Sequence, residues 1–240
     1  MKSAPLPANE SERLKALAEY QILDTLPEEV YDDITRIASE ITGTPIALLN
    51  LIDKNRLWTK SMQGLELTDT PREIGFCAHA ILNPDDIMVV EDTRYDERFN
   101  DNPLTTGDPS IIFYAGVPIV DGGGHALGTL CIMDHRPRTL PDNKLMALKS
   151  LAKLVNAHFE LRKTRIELER IHRVLRQGAP SNTDTGPAVT DQAQTLVDLL
   201  ETNLQSLITS SPRPDQASHL NSLQVAVDAL KTALDDRQAE

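Results

Sequence analysis

The segment 76–138 constrains the fold of this chain more than any other part of its sequence. Two apolar, β-prone runs at 111–120 and 126–133 flank the glycines at 122–124, whose freedom to adopt positive φ suits a tight connection. We therefore expect an antiparallel strand pair. The stretch before it, 92–108, is long and polar, and such a loop is rarely placed between strands unless it covers something. This pattern favours a sensory or ligand-binding module over an enzyme.

Apolar residues at helical spacing precede this segment and are followed by an apolar run of strand length. Gly43 is placed to end the second helix, because glycine readily adopts the left-handed conformation that closes a helix. The predicted elements are helices over 10–22 and 28–42, a hairpin of strands over 45–53 and 56–63, a loop over 64–72, a short helix over 73–82 and a short strand over 87–90.

The chain has 240 residues and a net charge of −12, which argues against binding to a phosphate backbone. Its first residues, MKSAPLPANESER, lack the apolar core of a signal peptide, and no apolar run approaches the roughly 20 residues that span a bilayer. We therefore expect a cytoplasmic protein with no nucleic-acid or membrane partner. In that compartment Cys77 and Cys131, each inside an apolar run, are expected to be reduced and buried.

From residue 142 a helical pattern continues to about 177, and within it leucines recur every seven residues. With the residues between them they match the a and d positions of a coiled coil, although one is a threonine. Two interpretations stay open: a dimeric coiled coil, or one amphipathic helix that packs on its own domain. The seam consists of Leu154, Ala157, Leu161, Thr164, Leu168, Ile171 and Leu175.

The rest of the chain divides into two further parts. Residues 178–190 are rich in Pro, Gly, Ser and Thr without an apolar period, which predicts a linker. Residues 191–240 contain two amphipathic segments separated by SSPRPD, which predicts an αα-hairpin. Because two short helices cannot bury their apolar faces alone, we expect this acidic hairpin to pack on a partner copy or on the main body.

Six sequence pieces between residues 12 and 162 resemble a known family. They are ERLKALAEYQILDT, RLWTKSMQG, PREIGFCAHAI, VVEDTRYDERFNDNP, FYAGVPI and LGTLCIMDHRPRTL, in that order. Together they are similar to a bacterial GAF domain of the type found at the front of sensor histidine kinases and diguanylate cyclases. The resemblance implies an α+β fold with α/β/α layers: a central antiparallel sheet of five to six strands, helices on both faces, and a helical C-terminal extension. The GAF domain would cover 1–162, and a signalling helix would continue over 163–177.

The same resemblance implies that the terminal helices lie together on one face, where GAF dimers form. A ligand pocket would lie on the other face, under the 73–82 helix and the 92–110 loop. GAF domains bind cyclic nucleotides, bilins, haem or small metabolites. The candidate ligand-binding residues are Trp58, Phe76, Cys77, His79, Asp92, Arg94, Phe99, Phe113, Tyr114 and Cys131. For the Asp92–Arg94 pair, the alternative is a structural ion pair within the loop.

The residue types in the predicted pocket exclude some classes of ligand but do not identify one. Ala78 separates Cys77 from His79, which argues against a covalent bilin, and the histidines at 125 and 135 lie near turns, which argues against haem. Scattered histidines and cysteines do not suggest a metal site. The ligand stays unknown, with a small metabolite and a cyclic nucleotide both left open.

One group of GAF domains, the free methionine sulfoxide reductases, is enzymatic and relies on several cysteines for disulfide exchange. Cys77 and Cys131 form no evident resolving pair in the sequence, so we assign no catalytic residue and expect that the chain is not an enzyme.

The sequence therefore predicts a dimeric sensor in which ligand occupancy shifts the 73–82 helix and the 92–110 loop and thereby biases the packing of the 142–177 helix. Its expected partners are a second copy, through the terminal helices, and a sensor kinase or other signalling protein. The alternative is a ligand-free dimerisation scaffold whose acidic hairpin docks a partner kinase or regulator.

Overall fold

The structure is a computed structural model that describes residues 1–65, 69–177 and 224. The chain divides into two compact units, Met1–Ile171 and His172–Glu240. The first unit contains the sheet and nearly all of the described residues, and the fold below is that of this unit. The predicted linker over 178–190 and the predicted hairpin over 191–240 lie outside the described residues, apart from Gln224.

A six-stranded antiparallel sheet forms the centre of the domain, with the strand order β3-β2-β1-β6-β5-β4. Both central strands are buried along their whole length, since each face of the sheet is covered. This explains why their sequences are almost continuously apolar rather than alternating. The strands are β1 (Ile46–Ile52), β2 (Arg56–Gln63), β3 (Asp69–Pro71), β4 (Met88–Val90), β5 (Phe113–Val120) and β6 (Ala126–Asp134).

Three helices cover one face of the sheet: α1 (Glu10–Glu19), α2 (Glu29–Thr42) and α5 (Asp142–Gln177). Gly43 ends α2 in the left-handed conformation, with φ of 69°, as its position in the sequence predicted. The core on this side joins aromatic residues of the helices to apolar residues of β1, β5 and β6. Its aromatic members are Tyr20, Tyr31, Phe113 and Phe159.

The opposite face is covered by short elements, α3 (Phe76–Ala80) and α4 (Pro103–Thr106), and by the loops around them. Short 3₁₀ turns at Arg72–Ile74 and Thr93–Tyr95 flank this layer. We refer to α3, α4 and the 92–110 loop as the roof. The predicted fold class, a layered α+β domain with helices on both faces and a helical continuation, is confirmed.

Three local predictions differ from the structure. The first helix ends at Glu19 rather than at residue 22, and its buried face includes the charged Arg13, which pairs with Glu10. The predicted 64–72 loop contains β3, which is too short to show a period. The predicted 73–82 helix is divided in two at Gly75, whose backbone is extended and whose missing Cβ leaves room for the Leu57 side chain.

None of the helices in the described part of the chain has a stretch long and apolar enough to span a membrane.

Candidate functional site

Five buried polar side chains meet between the sheet and α3. Asn50 on β1 lies opposite Thr129 on β6, and Cys131 follows two residues later on the same face of β6. Tyr114 reaches this face from β5, and Cys77 approaches it from α3. We call these five residues the thiol cluster. Each is 4% exposed or less, so the cluster lies inside the domain.

The two thiols of the cluster are in contact although they lie far apart in the sequence. Their sulfur atoms are 3.8 Å apart, and both cysteines are free and buried. Asn50 Nδ2 donates to Cys77 Sγ at 3.4 Å and lies 3.8 Å from Cys131 Sγ. The Tyr114 hydroxyl lies 3.4 Å from Cys77 Sγ. Cys77 therefore accepts two hydrogen bonds of 3.4 Å, whereas the contacts that Cys131 receives from Asn50 and Cys77 are longer, at 3.8 Å each.

A hydrogen bond from Thr59 fixes the orientation of the Asn50 side-chain amide. Thr59 Oγ1 donates to Asn50 Oδ1 at 2.8 Å, so the amide oxygen is occupied and the NH₂ group faces the thiols. A donor rather than an acceptor therefore points at the two sulfur atoms. Such an arrangement stabilises a thiolate more than a neutral thiol.

The two thiols consequently differ in acidity. Burial raises the pKa of the Cys77 thiol, but hydrogen bonds from Cys131, Tyr114 and Asn50 outweigh burial and lower this pKa. Burial and the adjacent Cys77 raise the pKa of Cys131 well above its ordinary value. The pair therefore contains one thiol that ionises readily and one that stays protonated.

A small cavity lies beside the cluster. Its volume is about 20 Å³, and its walls include Asn50, Cys77 and Phe76. This is room for about one water molecule, whereas pockets for drug-sized ligands measure about 300–1,000 Å³. In this conformation the recess under the roof has too little room for a metabolite or a cyclic nucleotide.

Aromatic rings close the roof above the cavity. The Phe76 ring packs edge-on against Phe99 and Tyr114, with centroid distances of 4.6 and 5.5 Å. His79 packs edge-on against Phe99 at 5.0 Å, and its Nε2 lies 3.0 Å from the carbonyl oxygen of Lys2. Burial lowers the pKa of His79. The histidine thus belongs to the outer edge of the roof and makes no hydrogen bond to the thiols.

The structure brings together half of the predicted site residues. Phe76, Cys77, Phe99, Tyr114 and Cys131 all belong to the apolar cluster under the roof. Phe113 and Trp58 lie on the opposite face of the sheet, against the helical layer. Asp92 and Arg94 pair with each other, with nitrogen–oxygen distances of 2.9 and 2.7 Å, and the Asp92 side chain also caps the following 3₁₀ turn. The structure therefore shows the alternative stated for this pair, an ion pair within the loop.

Sequence reasoning missed Asn50 and Thr129. Asn50 could have been identified from the sequence, because it is the only polar residue in the apolar strand IALLNLI. The structure shows that it is buried there. A polar residue in such a strand needs partners inside the protein. Thr129 gave no comparable signal, since threonine is common in strands. Its hydroxyl is one of two buried side-chain polar atoms among the described residues that have no hydrogen-bond partner.

A larger hollow of about 460 Å³ opens at the surface between the end of α2 and the chain after β6. Arg136 and Arg138 lie on its wall, but both pair with Asp134, which is also part of the wall. This single carboxylate compensates one of the two positive charges of the hollow. Among the described residues, no group of three or more His, Cys, Asp or Glu side chains could hold a metal ion.

The fold and its covered recess define a sensory and regulatory class of domain. The sequence profile of the GAF domain family matches residues 26–159, more than half of the chain, and the chain belongs to this family. It is 37% identical over 158 residues to a cyclic di-GMP phosphodiesterase of Pseudomonas aeruginosa. That match covers 65% of this chain and 27% of the phosphodiesterase, so the chain spans about a quarter of this relative's length.

Solved structures with a similar fold are more distant in sequence. A free methionine-R-sulfoxide reductase from Neisseria meningitidis is 18% identical, with a TM-score of 0.47 over 69% of this chain and 99% of the reductase. The chromophore-binding domain of a bacteriophytochrome from R. palustris is 13% identical, with a TM-score of 0.46 over 67% of this chain and 65% of that one.

The expectation that the chain is not an enzyme is wrong. The curated relative from Pseudomonas aeruginosa is named as a cyclic di-GMP phosphodiesterase. The expectation rested on the long 92–108 loop and on two cysteines without an evident resolving pair in the sequence. Neither feature says anything about catalysis elsewhere in the protein. An enzymatic role is therefore open to this protein.

Proposed function

We propose that this chain is a regulatory GAF domain that forms a homodimer through the outer face of α5 and controls a cyclic di-GMP phosphodiesterase activity. The link to cyclic di-GMP is suggested by the relative from Pseudomonas aeruginosa. The dimer is suggested by one observation, the row of exposed leucines on α5. The paragraphs below give the support for the dimer and for its connection to the domain.

Two different faces of α5 are apolar. Leu148, Ala152, Val155 and Phe159 face the body of the domain and are buried in the core of the helical layer. The leucines at 154, 161 and 168 follow one another at intervals of seven residues, and they are 45%, 65% and 57% exposed. One helical face is thus sufficient to attach α5 to its own domain. The second face has no covering element in the described part of the chain, and its spacing suits a parallel partner helix.

The position of α5 is coupled to the sheet through Arg162. Its guanidinium group donates to the carbonyl oxygens of Tyr20 and Gln21, each at 2.8 Å, and to Glu28 at 3.0 Å. Glu28 also accepts from Lys60 on β2 at 2.7 Å, and the Lys60 side chain is fully buried. A shift of β2 or of the α1–α2 connection would therefore be transmitted to α5. Such a connection between two packed elements is what a regulatory domain requires.

The ligand-binding part of the prediction has weaker support. A metabolite or cyclic nucleotide could enter only if α3 and the 92–110 loop moved outward, because the cavity beneath them measures about 20 Å³. Both interpretations of the sequence, a ligand-binding sensor and a ligand-free scaffold, include a dimer. Dimerisation does not require the roof to move. We therefore base the proposed function on the α5 face.

The proposed dimer is tested by sedimentation velocity over a range of concentrations. In the double variant Leu161→Gln/Leu168→Gln, two apolar side chains per helix lose their burial while helix propensity is kept. Each buried leucine contributes about 1.5–3 kcal/mol, so we expect the dissociation constant to rise at least ~100-fold.

The matched control is Arg170→Gln/Arg173→Gln, which places the same residue at two exposed positions of the same helix off the leucine row. We expect this variant to dimerise as the wild type does. A wild-type chain that sediments as a monomer at its highest soluble concentration would refute the proposal, as would equal weakening by both pairs of substitutions.

A further inference from the structure

We propose that Cys77 and Cys131 form a buried modification site, at which a small hydroperoxide oxidises the two thiols to an intramolecular disulfide between α3 and β6. This site is independent of the dimer proposed above and can be tested without it. The argument rests on the contact between the sulfur atoms, on the difference between their surroundings and on the space beside them.

The two sulfur atoms are in van der Waals contact. They are 3.8 Å apart, and a disulfide requires about 2.05 Å, so a small rotation of the side chains or a small shift of α3 would close the gap. The chain contains two cysteines in all. An intramolecular disulfide therefore has a single possible pairing, and 53 residues of chain separate its two ends.

The surroundings assign different tasks to the two thiols. Asn50 and Tyr114 both direct donors at Cys77 Sγ, at 3.4 Å each, and the pKa of this thiol is lowered. Cys131 Sγ instead lies 3.6 Å from the carbonyl oxygen of Leu48, which accepts from a protonated thiol. Cys77 is therefore the thiol that attacks the oxidant, since the thiolate is the nucleophilic form. Cys131 is the thiol that completes the disulfide.

The space beside the thiols selects a small oxidant. The cavity next to Cys77 has room for about one water molecule, so a hydroperoxide as small as hydrogen peroxide needs little movement of the roof. Glutathione disulfide or another bulky disulfide would need the roof to open fully.

The reaction is balanced in two steps. In the first, the Cys77 thiolate forms a bond to one peroxide oxygen while the O–O bond breaks, and the released hydroxide takes up the proton that Cys77 lost, which gives a sulfenic acid and water. In the second, the sulfur of Cys131 bonds to the sulfur of Cys77 while the S–O bond breaks. The hydroxide that leaves takes the proton of Cys131. Two thiols and one hydrogen peroxide thus give one disulfide and two waters.

Thiol counting on the full chain tests the site. Reduced protein is treated in its native state with one equivalent of hydrogen peroxide, catalase removes the excess, and the chain is then unfolded in N-ethylmaleimide. We expect intact-mass spectrometry to show a chain lighter by two hydrogen atoms and without maleimide adducts. Reduction with dithiothreitol before labelling should restore two adducts. Peptide mapping without reductant should find the Cys77 and Cys131 peptides joined within one chain.

Three variants test the assigned tasks. Cys131→Ser should stop the reaction at a sulfenic acid on Cys77, which dimedone traps, whereas Cys77→Ser should leave Cys131 free for alkylation. Tyr114→Phe removes one donor but keeps the ring, so we expect slower oxidation of the native chain and an unchanged rate for the urea-unfolded chain.

The proposal is overturned if both native thiols remain alkylatable at a peroxide dose that fully oxidises the unfolded chain. It is also overturned if the disulfide found joins two chains. Because this assay uses the wild-type protein, it does not depend on the folding of any variant.

Discussion

Buried cations in this domain lie against carboxylates. Arg13 is 1% exposed and contacts Glu10, which also pairs with Arg72 from the 3₁₀ turn before α3. Lys60 is equally well enclosed and pairs with Glu28. Glu10 thus joins the start of α1 to the segment that leads into the roof. A buried pair of this kind is costly to break from one side, because the remaining charge loses its partner.

The Glu10 carboxylate makes the stability of the domain depend on pH. Burial raises its pKa, but hydrogen bonds from Arg13 and Arg72 outweigh burial and lower the pKa from 4.5 to about 2. The unfolded chain then binds more protons than the folded chain between these values. The stabilisation is therefore present above about pH 4.5 and is lost as the pH falls towards 2.

We expect Glu10→Gln to lower the free energy of urea unfolding at neutral pH and to flatten its decline over this acidic range. Glu12→Gln, which changes an exposed carboxylate on the same helix, should leave the wild-type curve in place. Parallel curves for wild type and Glu10→Gln would show that Glu10 does not contribute.

At the residue scale, the sequence predicted which residue types lie in the core better than it predicted the face on which they lie. Phe113 and Tyr114 are neighbours in an apolar run, yet they point to opposite faces of the sheet. A run that is buried on both faces has no alternation from which its phase could be determined. The contact between Cys77 and Cys131 could not be predicted either, because it depends on the placement of α3 over β6.

At the scale of elements, the roof consists of pieces too short to be stable alone. An isolated helix of fewer than about 12 residues is marginal in water, and α3 and α4 have five and four residues. Asn102 holds both in place: its Oδ1 accepts from Leu104 N at 2.9 Å, which caps α4, and its Nδ2 donates to the Ile74 carbonyl at 2.9 Å. This one side chain connects α4 to the turn before α3.

Asn102→Ala should therefore loosen the roof. We expect a loss of about 1–2 kcal/mol of stability, from the lost cap and the carbonyl left without its donor. The clearest measurement is hydrogen exchange: amides in 76–80 and 103–106 should exchange faster, while those of β1 and β6 should lose less protection. Asn100→Ala removes an exposed asparagine from the same loop and should change neither. Equal effects of the two variants would contradict the role of Asn102.

The same difference in length explains which elements were predictable. The bounds of α2, β1, β2, β6 and α5 differ from the prediction by two residues at most, because each has a clear apolar period or an identifiable end. α4 and β3 were not predicted at all. Elements of three or four residues contain fewer than two repeats of their own period, and their existence depends on tertiary contacts such as those of Asn102.

At the scale of the whole molecule, one sheet separates two cores of different construction. The helical side is covered by α1, α2 and α5, of 10, 14 and 36 residues, whereas the roof side is covered by short helices and loops. The strands are shared by both cores, but no residue of the roof belongs to the core of the helical side. We therefore expect the roof to open at a lower free energy than the domain unfolds, as weakly covered regions commonly do.

Two probes within the chain can separate these events. Trp58, the sole tryptophan, lies against the helical core, and its fluorescence reports global unfolding. Labelling of Cys77 and Cys131 by a small maleimide reports exposure of the roof side. If the roof opens alone, the thiols become exposed more often than the whole domain unfolds. The labelling rate in the absence of urea should then exceed the rate expected from global unfolding alone.

A matched pair of substitutions decides between local and global opening. Phe159→Leu, in the helical core, should destabilise the domain by about 1–2 kcal/mol and shift the Trp58 transition while leaving the labelling rate in water unchanged. Phe99→Leu, in the roof, should speed labelling about 5–30-fold for a similar loss. Phe159→Leu could instead accelerate labelling by the factor that corresponds to its loss of global stability, as measured from the Trp58 transition. The thiols would then become exposed only on global unfolding. The covered recess would then be a permanent part of the core, and an oxidant could reach the thiols only through the small cavity beside them.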